Sequence, residues 1–222
     1  YVVKFVDRNE DLGLETTFEY FTLPKEVFPA LMRKLKIKNI SNKKQSQNIE
    51  CLDGLPIIIP YGTMDFLLKN ISRLAEGWYN GVFFSKEKKV PVYKLPVEPQ
   101  DRPEVVPVHG ANFYVGYYEK NGKKIFPEFI IDPDNIFGEV RNFEFPETFI
   151  NSKEFKFNPH LTGKNKTPSG MGHFSFTIKP NETFEYNSVV GHAHHAENVD
   201  KFVKIFMQDE YILSGRIDRG VK

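Results

Sequence analysis

The stretch Gly170-Met171-Gly172-His173-Phe174-Ser175-Phe176-Thr177-Ile178-Lys179-Pro180-Asn181-Glu182-Thr183-Phe184-Glu185-Tyr186-Asn187-Ser188-Val189-Val190-Gly191-His192-Ala193 decides the fold class. Phe174, Phe176 and Ile178 alternate with Ser175, Thr177 and Lys179. A period of two puts the apolar set on one face of a strand and the polar set on the other. Pro180-Asn181 breaks the run, as turn residues do. Phe184, Tyr186, Ser188 and Val190 then restart it, so the stretch reads as a hairpin of two strands around one tight turn. The expected architecture is mainly β, a sandwich with one or two short helices.

Working outward, Tyr1 to Val6 and Thr16 to Leu23 are β-prone runs, and Ala30 to Ile40 alternates cleanly. Ile49 to Leu52 is expected to pair with that third run, with Asp53-Gly54 as a turn. Leu55 to Ile59 is apolar at successive positions, as in a strand buried on both faces. The period then changes. Met64, Leu67, Leu68, Ile71, Leu74, Ala75 and Trp78 are three or four apart, which predicts a helix over Met64 to Glu76, with Thr63 as N-cap and Gly77 as the stop. Pro96, Pro99, Pro103 and Pro107 mark an extended connection. Asn112 to Tyr118 reads as a strand, Asp132-Pro133-Asp134-Asn135 as a turn, and Asn151 to Ser169 as a mobile loop. Val199, Phe202, Val203 and Phe206 predict a second helix from about Glu197 to Met207. Residues 1–195 are thus expected to form the sandwich and 196–222 a helical linker toward a further domain.

Bulk properties set limits. The chain has 222 residues, 14% of them aromatic, with 21 phenylalanines, so a large core is expected. A net charge of +1 provides no overall field to hold nucleic acid. In Arg33-Lys34-Leu35-Lys36-Ile37-Lys38 the charges alternate with Leu35 and Ile37, the pattern of a strand's wet face. No apolar run is long enough to span a membrane. The lone Cys51 cannot form an internal disulfide, which suits a reducing, cytoplasmic setting.

Few residue groups carry chemistry. His192, His194 and Glu197, with His173 nearby in the sequence, have the donor types for zinc or iron. The His-x-His-then-Glu order resembles a cupin site. However, Glu197 sits too close, Val203 stands where a cupin glycine would be, and no histidine follows His195. The competing reading is a strand end running into a helix N-terminus, where Glu197 suits the dipole. Asp132 and Asp134 are a candidate carboxylate pair, but Pro133 and Asn135 favour a turn. Asp209-Glu210, just past the second helix, reads as solvated. No Gly-x-Ser-x-Gly elbow is present, and Gly170-Met171-Gly172 precedes a strand, so it is not a phosphate loop. Trp78, Tyr79, Tyr114, Tyr117 and Tyr118 are candidates for stacking on sugars, against the commoner fate of filling a core.

Three segments together carry a family resemblance. Leu35 to Ser41 followed by Ile49 to Gly54, then Leu55-Pro56-Ile57-Ile58-Ile59-Pro60-Tyr61-Gly62, and then Phe174 to Glu182 leading to Val189-Val190-Gly191-His192-Ala193 and a helix, resemble the N-terminal domain of inverting glycoside phosphorylases. That family includes cellobiose phosphorylase and the enzymes of β-1,2-linked oligoglucans. The resemblance implies a galactose-mutarotase-like β-supersandwich whose polypeptide also carries a barrel of paired helices. It implies inorganic phosphate as co-substrate of the intact enzyme and carbohydrate as ligand, and it allows a homodimer. The family's catalytic acid and phosphate-binding residues lie in the barrel, so no catalytic residue and no cofactor is carried over to this chain, and the substrate-binding residues are left unassigned. Tyr1 would fall inside the family domain, and Asn151 to Ser169 has no counterpart. Two other expectations stand beside this one: a free-standing carbohydrate-binding module, and a cupin-like metal-dependent enzyme.

Overall fold

The computed structural model describes residues 1–22, 28–41, 46–87, 89–139, 142–158 and 163–208. Strands β1 (Val2–Asn9), β2 (Leu14–Thr22), β3 (Ala30–Asn39) and β4 (Gln47–Leu55) come first. Helix α1 (Asp65–Ile71) runs into a tighter helical turn over Ser72–Trp78. Next are β5 (Phe83–Phe84), β6 (Pro91–Tyr93), β7 (Ala111–Lys120), β8 (Lys123–Ile125) and β9 (Glu128–Ile130). Two short helices follow, α2 (Asp134–Phe137) and α3 (Glu147–Asn151), then β10 (Gly170–Ile178), β11 (Thr183–Ala193) and helix α4 (Val199–Gln208). The described residues are mainly β, in two antiparallel sheets with a few short helices.

The large sheet runs β1-β2-β3-β11-β7-β6-β5, with β8 added to β7, and the small sheet runs β4-β10-β9. Alternation sets the faces as expected: Phe174 and Ile178 are buried while Ser175 is exposed. The pairing is different from the expectation. β10 and β11 do not form a hairpin, because β10 pairs with β4 and β9 while β11 pairs with β3 and β7. Residues 179–182 therefore cross from one layer to the other. β4 likewise lies across the sandwich from β3 instead of beside it. The two crossings clasp each other: the Asn39 amide donates to the Glu182 carbonyl at 3.0 Å, and the Asn181 amide donates to the Asn39 carbonyl at 2.9 Å. Asn181 takes φ 63° in this turn, a conformation asparagine tolerates better than most residues.

Between the layers, Leu35 and Ile37 of β3 and Tyr186 of β11 meet Phe174 and Ile178 of β10. The rings stack in series, with Phe174 on Tyr186 at 4.4 Å and Phe176 on Phe184 at 3.5 Å. On the opposite face of the large sheet, α4 buries Val199, Phe202, Val203 and Phe206 against Phe21, Met32, Phe113, Val115 and Val189. The i, i+3, i+4, i+7 spacing that predicted the helix is what docks it. Residues 209–222, including Asp209 and Glu210, lie outside the described residues.

Several local expectations change. Asp53-Gly54 lies within β4 and is not a turn. Gly54 has φ 147°, and an added Cβ would run into the Gly170 carbonyl. Leu55 to Ile59 is no strand: β4 ends at Leu55, and Leu55 and Ile57 are exposed while Ile58 is buried. The first helix starts at Asp65 and carries no side-chain cap, because Met64 and not Thr63 takes the N-cap position, while Thr63 Oγ1 donates to the Pro60 carbonyl. Gly77 does not stop it, since the helical turn continues through Trp78. The described parts of 151–169 are anchored, with Phe155 and Ser169 buried.

Candidate functional site

Lys34, Lys36 and Lys38 do face outward from β3, with Lys34 on Glu185 at 3.1 Å and Lys36 near Glu19 at 3.6 Å. Arg33 is the exception, because it is in phase with Leu35 and Ile37 and points between the layers. There it forms an ion pair with Asp53, which is 3% exposed. Ser188 Oγ donates to Asp53 at 3.4 Å, and the Tyr114 hydroxyl donates to the Asp53 carbonyl at 2.8 Å. The Tyr114 and Tyr186 hydroxyls are 2.8 Å apart. Burial holds the Asp53 carboxyl above its usual range despite Arg33 and Ser188, and it raises both phenols well above theirs. Tyr114 and Tyr186 are fully enclosed, so no substrate reaches this network. Its chemistry is that of a lock between the sheets.

The acidic turn is closed in a similar way. The Asp134 amide donates to Asp132 Oδ1 at 2.9 Å, and Lys166 Nζ lies 3.1 Å from Asp132 Oδ2 while also bonding Asp134. Asp132 is buried. This pair serves the turn and its lysine, which is not the open arrangement glycoside chemistry needs.

The structure separates the candidate metal ligands. His173 lies on the outer face of the small sheet, between Glu50 at 2.8 Å and Glu128 at 3.3 Å, with Phe155 edge-on at 5.1 Å. His192 and His194 are at the end of β11 in the large sheet. His192 Nδ1 meets Asn112 Oδ1 at 3.1 Å, its ring lies on Tyr61 at 4.4 Å, and the His194 ring is 5.5 Å away. Burial, then His194, lowers the pKa of His192. Glu197 falls in the helical turn Ala196–Asn198 that leads into α4, as the strand-to-helix reading has it. Among the described residues, no three or more His, Cys, Asp or Glu groups are placed to share a metal ion.

Of the stacking candidates, Tyr79, Tyr114 and Tyr117 are buried and Trp78 is 45% exposed. Tyr118 is half-buried at the wall of an open cleft of about 1300 Å³. The cleft lies where β10 runs on past its short partner β9. Tyr117, Tyr118, Phe176 and Phe184 supply its rings, Asn48, Thr177 and Asn187 supply amide and hydroxyl groups, and Lys34, Lys120, Glu50, Glu119, Glu182 and Glu185 supply charges of both signs. Tyr118 stacks on Phe174 at 5.6 Å and meets Phe184 at a tilt, 5.7 Å away. Rings beside hydrogen-bonding side chains form the kind of surface that takes the apolar face and hydroxyls of a sugar. Sequence reasoning missed the roles of Phe176, Phe184 and Arg33. Arg33 could have been found, since its parity is that of Leu35 and Ile37. Lys166 gave no signal, because its partners are far away in the chain.

No family model matches the chain, and neither does any curated protein sequence. Among the described residues, no helix is long and apolar enough to cross a membrane.

Proposed function

We propose that this chain is a non-catalytic β-sandwich domain of a carbohydrate-active enzyme, of the kind found in inverting glycoside phosphorylases. The observation that supports it is the pair of stacked antiparallel sheets, between which the chain passes four times, opening onto a polar cleft walled in part by aromatic rings. In this reading the domain buttresses a helical barrel of the same polypeptide and shapes one side of its sugar site. An acid in the barrel protonates the leaving oxygen while inorganic phosphate attacks the anomeric carbon with inversion. A cytoplasmic setting belongs to the same reading, because the single thiol, Cys51, has no second cysteine in this sequence to pair with.

The test is phosphorolysis of β-glucans by the intact polypeptide, with and without inorganic phosphate. Sugar 1-phosphate formed only with phosphate is the expected result. Turnover without phosphate, or none on any β-glucan, overturns it. A second reading, a carbohydrate-binding module, is favoured by the cleft alone. It predicts binding heat in calorimetry of this chain against a glucan panel, lost on Tyr118→Ala.

A further inference from the structure

Once His173 and Glu197 leave the set of metal donors, two histidines remain that the fold keeps together. His192 lies near the end of β11 and His194 just past it, with their rings 5.5 Å apart. Two imidazoles on one ion have ring centroids roughly 5 Å apart, given a nitrogen–metal bond of about 2.0–2.1 Å. His192 is half-buried and His194 is exposed, so an ion can reach them from solvent. Four of the six histidines in the sequence gather at this end of the large sheet, since the His109 and His195 rings lie 6.1 Å apart. The Ala196 amide donates to the His109 carbonyl at 2.9 Å, which ties that loop to the strand end.

The hydrogen bonds fix which nitrogen of His192 is free. Asn112 Nδ2 donates to the Ile59 carbonyl at 2.9 Å. Asn112 Oδ1 therefore faces His192, and a carbonyl oxygen can only accept. His192 Nδ1, 3.1 Å away, is the donor, and in a neutral imidazole the lone pair is then on Nε2. A partner that fixes the tautomer in this way is what metal-ligating histidines carry. The Tyr61 ring packs on the imidazole at 4.4 Å and limits its rotation.

We propose that His192, through Nε2, and His194 bind one late divalent transition ion, Cu²⁺ in preference to Zn²⁺, with water completing its shell. Imidazole suits this class of ion, whereas Mg²⁺ and Ca²⁺ take oxygen donors. Among the described residues no third His, Cys, Asp or Glu is placed to share the ion, so the site is open and exchangeable and not a closed structural one. The ion pins the end of β11 where the chain turns into α4. The proposal stands on this strand end and is independent of the carbohydrate reading.

Calorimetric titration of the untagged full chain with Cu²⁺, Zn²⁺ and Mg²⁺ tests it. One Cu²⁺ per chain is expected, bound more tightly than Zn²⁺, with no binding of Mg²⁺. His194→Asn, at an exposed position, should keep the circular dichroism spectrum and lose the one-to-one step, and His192→Asn should lose it too. His173→Asn should bind as the wild type does. Asn112→Leu should weaken binding about 10–100-fold, the usual cost of removing the group that orients a ligand. The electron paramagnetic resonance spectrum of the Cu²⁺ complex should show coupling to two imidazole nitrogens. No binding overturns the proposal, as does a one-to-one step that survives His192→Asn or His194→Asn, or a spectrum without coupled nitrogens. Binding unchanged by Asn112→Leu overturns Nε2 as the ligand atom, and Mg²⁺ bound as well as Cu²⁺ overturns the class of ion.

Discussion

At the scale of the residue, the Arg33 and Asp53 pair is the most consequential feature. Asp53 is enclosed, and Arg33 is 21% exposed along its side chain, packed over the Phe18 ring at 4.8 Å. Removing one partner strands the other charge in a poorly solvated place. Arg33→Met is therefore expected to cost about 3–5 kcal/mol in urea unfolding, and Arg33→Met with Asp53→Leu to recover most of that loss. Equal losses in the single and double variants would contradict the lock. Gly116 poses a steric version of the same problem, since an added Cβ would run into the Tyr186 hydroxyl. Gly116→Ala should cost about 1–3 kcal/mol by overpacking, read in the same titration. His192 gives a pH prediction. Its folded pKa is lowered from 6.5, first by burial and then by His194, so its contribution to stability is complete above that value and is lost as pH falls through the folded pKa. The wild type should lose more stability on acidification than His192→Asn, measured by thermal unfolding at a series of pH values.

At the scale of the element, helix α4 shows how far period alone reaches. Val199, Phe202, Val203 and Phe206 were legible as one stripe, and they are the buried set. Phe202→Ala removes a ring that meets both Phe28 at 5.6 Å and Phe113 at 5.2 Å, and it should cost about 3–5 kcal/mol in chemical denaturation. A loss below 1 kcal/mol or so would mean the helix is peripheral. For the strands, alternation revealed which side chains face inward but not which strand lies alongside. A period of two is the same whether a turn joins neighbours in one sheet or opposite layers. That is why β10 and β11 read as a hairpin, and why β4 was expected beside β3. The candidate site was less legible still. The cleft joins Tyr118 of β7 to Phe176 of β10 and Phe184 of β11, and no spacing in the chain announces that meeting. The histidines misled for the converse reason, since nearness in sequence placed His173 and His192 on different sheets.

At the scale of the whole molecule, stability rests on rings packed on both faces of the large sheet, and surface charge contributes little. The outward pairs are exposed or half-exposed, where a salt bridge is worth roughly 0–1 kcal/mol, and the net charge is +1. Raising salt should therefore shift the unfolding temperature by less than Phe202→Ala does, by scanning calorimetry. The nested crossings near Asn39 and Asn181 carry a further consequence, for how the molecule is made. β3 and β4 leave the ribosome early, yet the strands that complete them, β11 and β10, arrive in the last third of the chain. Such distant pairing makes closure slow, and in the interval β3, paired on one side with β2, keeps its other edge bare while β4 waits without its neighbour. Nascent chains halted before residue 170 should therefore depend on chaperones, and a synonymous slowdown in that region should lower the yield of native protein.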